Sequence, residues 1–81
     1  MTVTVKLFAI LRDKAGTGEL ALDLPDGATV AAAAEVLFAR LPQLRPHEAA
    51  VVFAVNQAYV KSDHVLAARD ELAVLPPVSG G

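Results

Sequence analysis

One stretch of this chain repeats its apolar side chains at helical spacing. Val30, Ala33, Ala34, Leu37 and Leu41 fall at i, i+3, i+4, i+7 and i+11 and form a single stripe. Thr29 is placed to cap the N-terminus, Ala31 to Ala34 supply helix propensity, and Pro42 stops the helix at about Arg40. The stripe must be buried against something, and the segments on either side of it read as strands. The chain is therefore limited to a layer in which one main helix crosses one face of one sheet, an α+β arrangement.

The strands follow from alternation. Thr2 to Leu11 reads as a long first strand, with Val3, Val5, Leu7, Ala9 and Leu11 on an apolar face. Its other face runs Thr2, Thr4, Lys6, Phe8, Ile10, polar at one end and apolar at the other. Arg12 to Gly18 reads as a polar loop. Glu19 to Leu24 is a second strand, antiparallel to the first, with Leu20, Leu22 and Leu24 inward, and Pro25-Asp26-Gly27 breaks it. After Pro42, Gln43 to Ala50 is a connection whose Leu44 packs inward. The nearly continuous apolar run from Val51 to Asn56 predicts a third strand in a central position. Asn56-Gln57 begins a tight turn before a short Tyr59-Val60 segment, and Ser62 to Arg69 is an irregular link. Asp70-Glu71 turns the chain into a last strand, Leu72 to Leu75.

The expected order is β-β-α-β-β, a mixed four- to five-stranded sheet grasping a helix. That is the ubiquitin-like β-grasp arrangement, in which the last strand is central and projects the C-terminus. Residues 1–75 form the domain and 76–81 an extended tail. Eighty-one residues make one domain, which buries only about 60–65% of its unfolded surface and has little volume for a deep cleft. An apolar fraction of 54% in so small a chain points to an apolar face left for a partner.

Several chemistries are set aside by composition. Without cysteine there is no disulfide framework, thiolate metal site or thiol nucleophile. His47 and His64, the only histidines, do not stand at metal-ligand spacing, so no metal is expected. A formal charge of −2 with dispersed Lys and Arg implies neither nucleic acid nor an anionic membrane. No run has the length of a membrane span and no leader pattern is visible, so the cytoplasm is the expected location.

What remains is the end of the chain, Pro76-Pro77-Val78-Ser79-Gly80-Gly81. The prolines cannot extend a sheet ladder and favour an extended exit. The two glycines have no Cβ, so they can thread a narrow tunnel and bring a terminal carbonyl close to another protein's reacting groups. A frayed terminus is the other reading open to the hexapeptide alone.

The wider pattern resembles the small, sulfur-carrying subunit of molybdopterin synthase. The matching stretches are Leu7-Phe8-Ala9 through Arg12 with Gly16-Thr17, Val55-Asn56-Gln57, Asp63-His64 with Leu66, Asp70-Glu71-Leu72-Ala73, and the terminal hexapeptide. A departure is Val74-Leu75, where many members carry an aromatic residue before the prolines. The resemblance implies a carrier rather than a self-sufficient enzyme. The Gly81 carboxylate would be adenylated by an E1-like activating enzyme using ATP and Mg²⁺, and a sulfurtransferase would supply sulfur to make a thiocarboxylate. The thiocarboxylate would then donate sulfur to cyclic pyranopterin monophosphate in the large subunit of a heterotetrameric synthase. Gly80 would be needed for threading. Phe8, Tyr59 and Leu75, continued by Pro76, Pro77 and Val78, would meet the large subunit, with Arg12, Asp70 and Glu71 as polar contacts at the rim of a partner interface. No cofactor would be bound by the chain itself. Three other readings stay open: a thiamine-pathway sulfur carrier, a ubiquitin-like carrier for tRNA thiolation or protein conjugation, and a binding module with an inert Gly-Gly end.

Overall fold

The computed structural model describes residues 1–77. Val78, Ser79, Gly80 and Gly81 lie outside the described residues, and with them the expected roles of Val78, Gly80 and Gly81. The elements are β1 (Thr2–Leu7), α1 (Ala9–Ala15), β2 (Glu19–Asp23), α2 (Val30–Arg40), a 3₁₀ helix (Pro42–His47), β3 (Val52–Val55), β4 (Ala58–Val60) and β5 (Glu71–Leu75). The five strands form one mixed sheet in the order β2-β1-β5-β3-β4. β5 runs parallel to β1 and antiparallel to β3, while the β1–β2 and β3–β4 pairs are antiparallel.

The expected helix is present with its expected bounds. Thr29 is its N-cap, its Oγ1 accepting the Ala32 N–H at 3.2 Å. Val30, Ala33 and Leu37 are buried, as is Phe38, which stands four residues after Ala34 and widens the same stripe. Leu41 ends the helix and Pro42 opens the 3₁₀ turn, which buries Leu44 completely. These side chains pack with Val3, Val5, Leu7, Leu22, Val55, Leu72 and Val74 in one core on one face of the sheet.

Two expectations change. The first strand ends at Leu7, not Leu11, because the chain turns at Phe8 and Ala9 into α1. Phe8 is still extended (φ −129°, ψ 155°), Ala9 takes φ 51°, and the Leu11 N–H bonds back to the Phe8 carbonyl at 3.1 Å. Leu7, Leu11 and Ala15 are also four residues apart, so the apolar alternation from Leu7 onward fits a helix equally well. Leu11 is buried in either case. What reads as a polar loop is largely the rest of α1, closed by Gly16 at φ 77°, whose N–H bonds to the Arg12 carbonyl at 3.0 Å.

The second change concerns β3, which is one strand in from the edge, between β5 and β4, while β5 takes the middle place. The continuous apolar run of β3 combines core side chains on the helix face with a small alanine set among larger neighbours on the other. Val55 belongs to the core and Phe53 packs against it, whereas Ala54 is buried on the opposite side, paired with Ala73.

Candidate partner-binding face

The helices cover one face of the sheet, and the other face carries the candidate site. The register aligns Lys6 of β1 with Ala73 of β5, Ala73 with Ala54 of β3, and Ala54 with Tyr59 of β4, one row across four strands. Small side chains at the middle of the row and large ones at its ends leave a depression of about 410 Å³. Ala54 and Ala73 lie among its lining residues, with Phe8, Tyr59 and Leu75 as the large apolar groups and Lys6, Gln57 and Glu71 as the polar ones. Phe8 reaches it because its extended conformation continues the β1 alternation by one residue, keeping it on the side of Lys6.

Of the five large apolar side chains exposed among the described residues, the two aromatic ones lie here, while Ile10, Val36 and Val65 lie elsewhere. Tyr59 is 73% exposed and Phe8 42%. Such side chains grouped around one depression are suited to docking against a complementary protein surface. Charge marks one flank: the Lys6 Nζ lies 3.4 Å from a Glu71 carboxylate oxygen and 4.0 Å from one of Glu19. β5 is the strand that runs through the depression and leads into Pro76, half-buried, and Pro77, exposed.

The sequence-predicted site residues thus separate. Phe8, Tyr59, Leu75 and Glu71 come together at the depression. Arg12 lies beside it, on α1, and lines a neighbouring open hollow with Phe8, Lys6 and Gly18. Its side chain lies over Gly18, where a Cβ would meet the Arg12 Nε at 3.1 Å. Asp70 is held elsewhere. Its Oδ2 accepts the Ala67 N–H at 2.8 Å and its Oδ1 accepts the Asn56 side-chain amide at 3.0 Å. Lys6, Ala54, Gln57 and Ala73 were missed by sequence reasoning. Lys6 was visible as an even-numbered residue beside Phe8, but the two alanines acquire meaning only from strand register.

Among the described residues no polar or charged side chain is buried, and no three His, Asp or Glu side chains converge as a metal site would require. The face offers an exposed apolar depression on the strand that leads to Pro76 and Pro77.

The ThiS family model matches residues 5–81. The chain is 37% identical over 79 residues to the molybdopterin synthase sulfur carrier subunit of Arabidopsis thaliana, covering 98% of this chain and 82% of that one. It is also 37% identical over 83 residues to the protein of the same description from Escherichia coli K12, with 98% and 99% covered. Among solved structures, SAMP1 from Haloferax volcanii superposes with a TM-score of 0.87 at 32% identity over the whole of both chains. On its sequence match and on its β-grasp architecture, the chain belongs to the ThiS family.

Proposed function

We propose that this chain is the sulfur carrier subunit of a molybdopterin synthase and that Gly81 bears the sulfur. The reading is supported by the description its relatives carry, at 34–37% identity over nearly the full chain. The observation that carries it is the placement of β5. The strand that runs through the exposed apolar depression also leads into Pro76-Pro77 and the Gly-Gly end, so docking and delivery are built on one element.

The chemistry follows from the terminal group. A carboxylate is a poor electrophile. Attack of the Gly81 carboxylate on the α-phosphorus of ATP, with Mg²⁺ on the phosphates, forms an acyl-adenylate and releases pyrophosphate. AMP is then a good leaving group for a persulfide brought by a sulfurtransferase: the terminal sulfur bonds to the Gly81 carbonyl carbon as AMP departs, and a second thiol cleaves the sulfur–sulfur bond, leaving a disulfide and releasing the thiocarboxylate. Its soft anionic sulfur attacks cyclic pyranopterin monophosphate in the large subunit, water cleaves the resulting Gly81 thioester to leave sulfur on the pterin and a carboxylate on Gly81, and two such transfers build the dithiolene. Activation belongs to an E1-like enzyme and the acid–base groups to the large subunit; this chain is a co-substrate that binds no cofactor and works in the cytoplasm. Phe8, Tyr59 and Leu75 dock on the large subunit while the glycines reach its active site.

Reconstitution tests this. The chain, converted to its thiocarboxylate and mixed with the large subunit and cyclic pyranopterin monophosphate, is expected to yield molybdopterin; absence of product with a competent large subunit refutes it. The likeness to SAMP1, a small archaeal modifier protein, favours protein conjugation as a second reading. In that case the activated Gly81 is captured by lysine amines, and isopeptide-linked adducts form in place of sulfur transfer.

A further inference from the structure

The hairpin turn between β3 and β4 and the turn that starts β5 are joined by side chains rather than by the sheet alone. Asn56, at φ 49°, donates its side-chain amide to Asp70 Oδ1 at 3.0 Å, and its Oδ1 accepts the Glu71 N–H at 3.0 Å. The backbone N–H of Asn56 bonds to the Glu71 carbonyl at 2.9 Å. Asp70 closes its own turn through the Ala67 N–H at 2.8 Å, and its carbonyl accepts the Thr4 N–H at 3.1 Å. Asp70 is therefore tied to both neighbours of the central strand, to β1 through its backbone and to the β3–β4 turn through its carboxylate.

The position of this junction matters. β4 has three residues and among the described residues pairs only with β3, so little else there fixes its other side. The turn it leaves carries Gln57 at φ 73°, and Tyr59 follows two residues later; both line the depression, as does Glu71 on the far side of the junction. We propose that the Asn56–Asp70 pair is a positioning latch that holds the Gln57–Tyr59 rim to the start of β5 and so presets the depression for its protein partner. The latch rests on the carrier reading for the identity of that partner. Without it the rim samples open arrangements, and apparent affinity falls with the fraction of chains in the competent one.

The contact permits a charge-swap test. Asn56→Asp alone sets two carboxylates face to face. Asp70→Asn alone leaves one oxygen where the native carboxylate uses two. Combined, they restore every bond: the amide at position 70 donates, its oxygen accepts the Ala67 N–H, and the carboxylate at position 56 accepts both that amide and the Glu71 N–H. Binding of each full-length variant to the molybdopterin synthase large subunit is measured well below its melting temperature, alongside amide hydrogen exchange of the free chain. Each single variant is expected to bind about tenfold more weakly, with faster exchange at Ala67 and Glu71 and unchanged exchange at core positions such as Leu72. The double variant is expected to recover native affinity and protection. Single variants that bind like the native chain, or a double variant no better than the singles, overturn the proposal. If the native chain itself does not bind the large subunit, the carrier reading fails and the exchange data alone decide the latch. Unchanged protection at Ala67 and Glu71 in the single variants then refutes it.

Discussion

Replacing Tyr59 by Ala should weaken docking more than folding. An aromatic side chain offers roughly 150–250 Å² for burial. Tyr59 is 73% exposed in the free chain, so about 150 Å² remains to be covered. If a partner covers two-thirds of that, about 100 Å² at ~25 cal/mol/Å² comes to ~2.5 kcal/mol, between 10- and 100-fold in Kd. Folding loses the contacts of the covered quarter, about 50 Å² or ~1.3 kcal/mol, and a few tenths for the β preference of Tyr over Ala on an edge strand, together roughly 1.5 kcal/mol. Calorimetric titration of the large subunit with the native chain and Tyr59→Ala measures the first quantity, and urea unfolding the second. The reasoning is refuted if affinity is unchanged, or if stability falls by about 3 kcal/mol or more, the loss typical of a core aromatic.

Phe8→Ala should divide its cost differently: at 42% exposure more than half of the ring is already covered, so melting temperature and large-subunit affinity are both expected to fall. Glu71→Lys removes the partner of Lys6 at 3.4 Å and reverses the flank of the depression. Its effect on association rate should be largest at low salt and fade as salt rises, which stopped-flow measurement over a salt series would show. Thr29→Ala deletes the cap on α2 and should cost about 1 kcal/mol in urea unfolding with no change in docking.

How far the structure could be read from sequence depended on whether the signal was local. The Val30–Arg40 helix carries its period, cap and stop within itself and is found with those bounds. The middle place of β5 was implied by the β-grasp arrangement, which leaves few routes for the last strand. α1 was concealed because its first residues continue the strand alternation as far as Leu11 and its polar remainder reads as a loop, and the turn at Ala9 depends on a positive φ that alanine does not announce. Phe8 was legible as a large side chain on the strand face opposite the core series, whereas Tyr59 was placed there only by the family resemblance. The floor made by Ala54 and Ala73 was not legible, since an alanine becomes a hollow only when register sets large neighbours around it. The Asn56–Asp70 contact spans 14 residues, and without the paired strands nothing distinguishes it from two turn residues.

The central claim is that sulfur travels on the Gly81 carboxylate. Its most direct test is the intact mass of the full chain and of a Gly81-deleted chain after incubation with ATP, Mg²⁺, the activating enzyme and a persulfide donor. Deletion should leave stability within about 0.5 kcal/mol, since the core pattern ends before the prolines. The account predicts that the native chain gains one sulfur and loses one oxygen, with the change located in its C-terminal peptide, and that the deleted chain is unchanged. A native chain without the exchange, or a deleted chain that gains sulfur as readily, contradicts it.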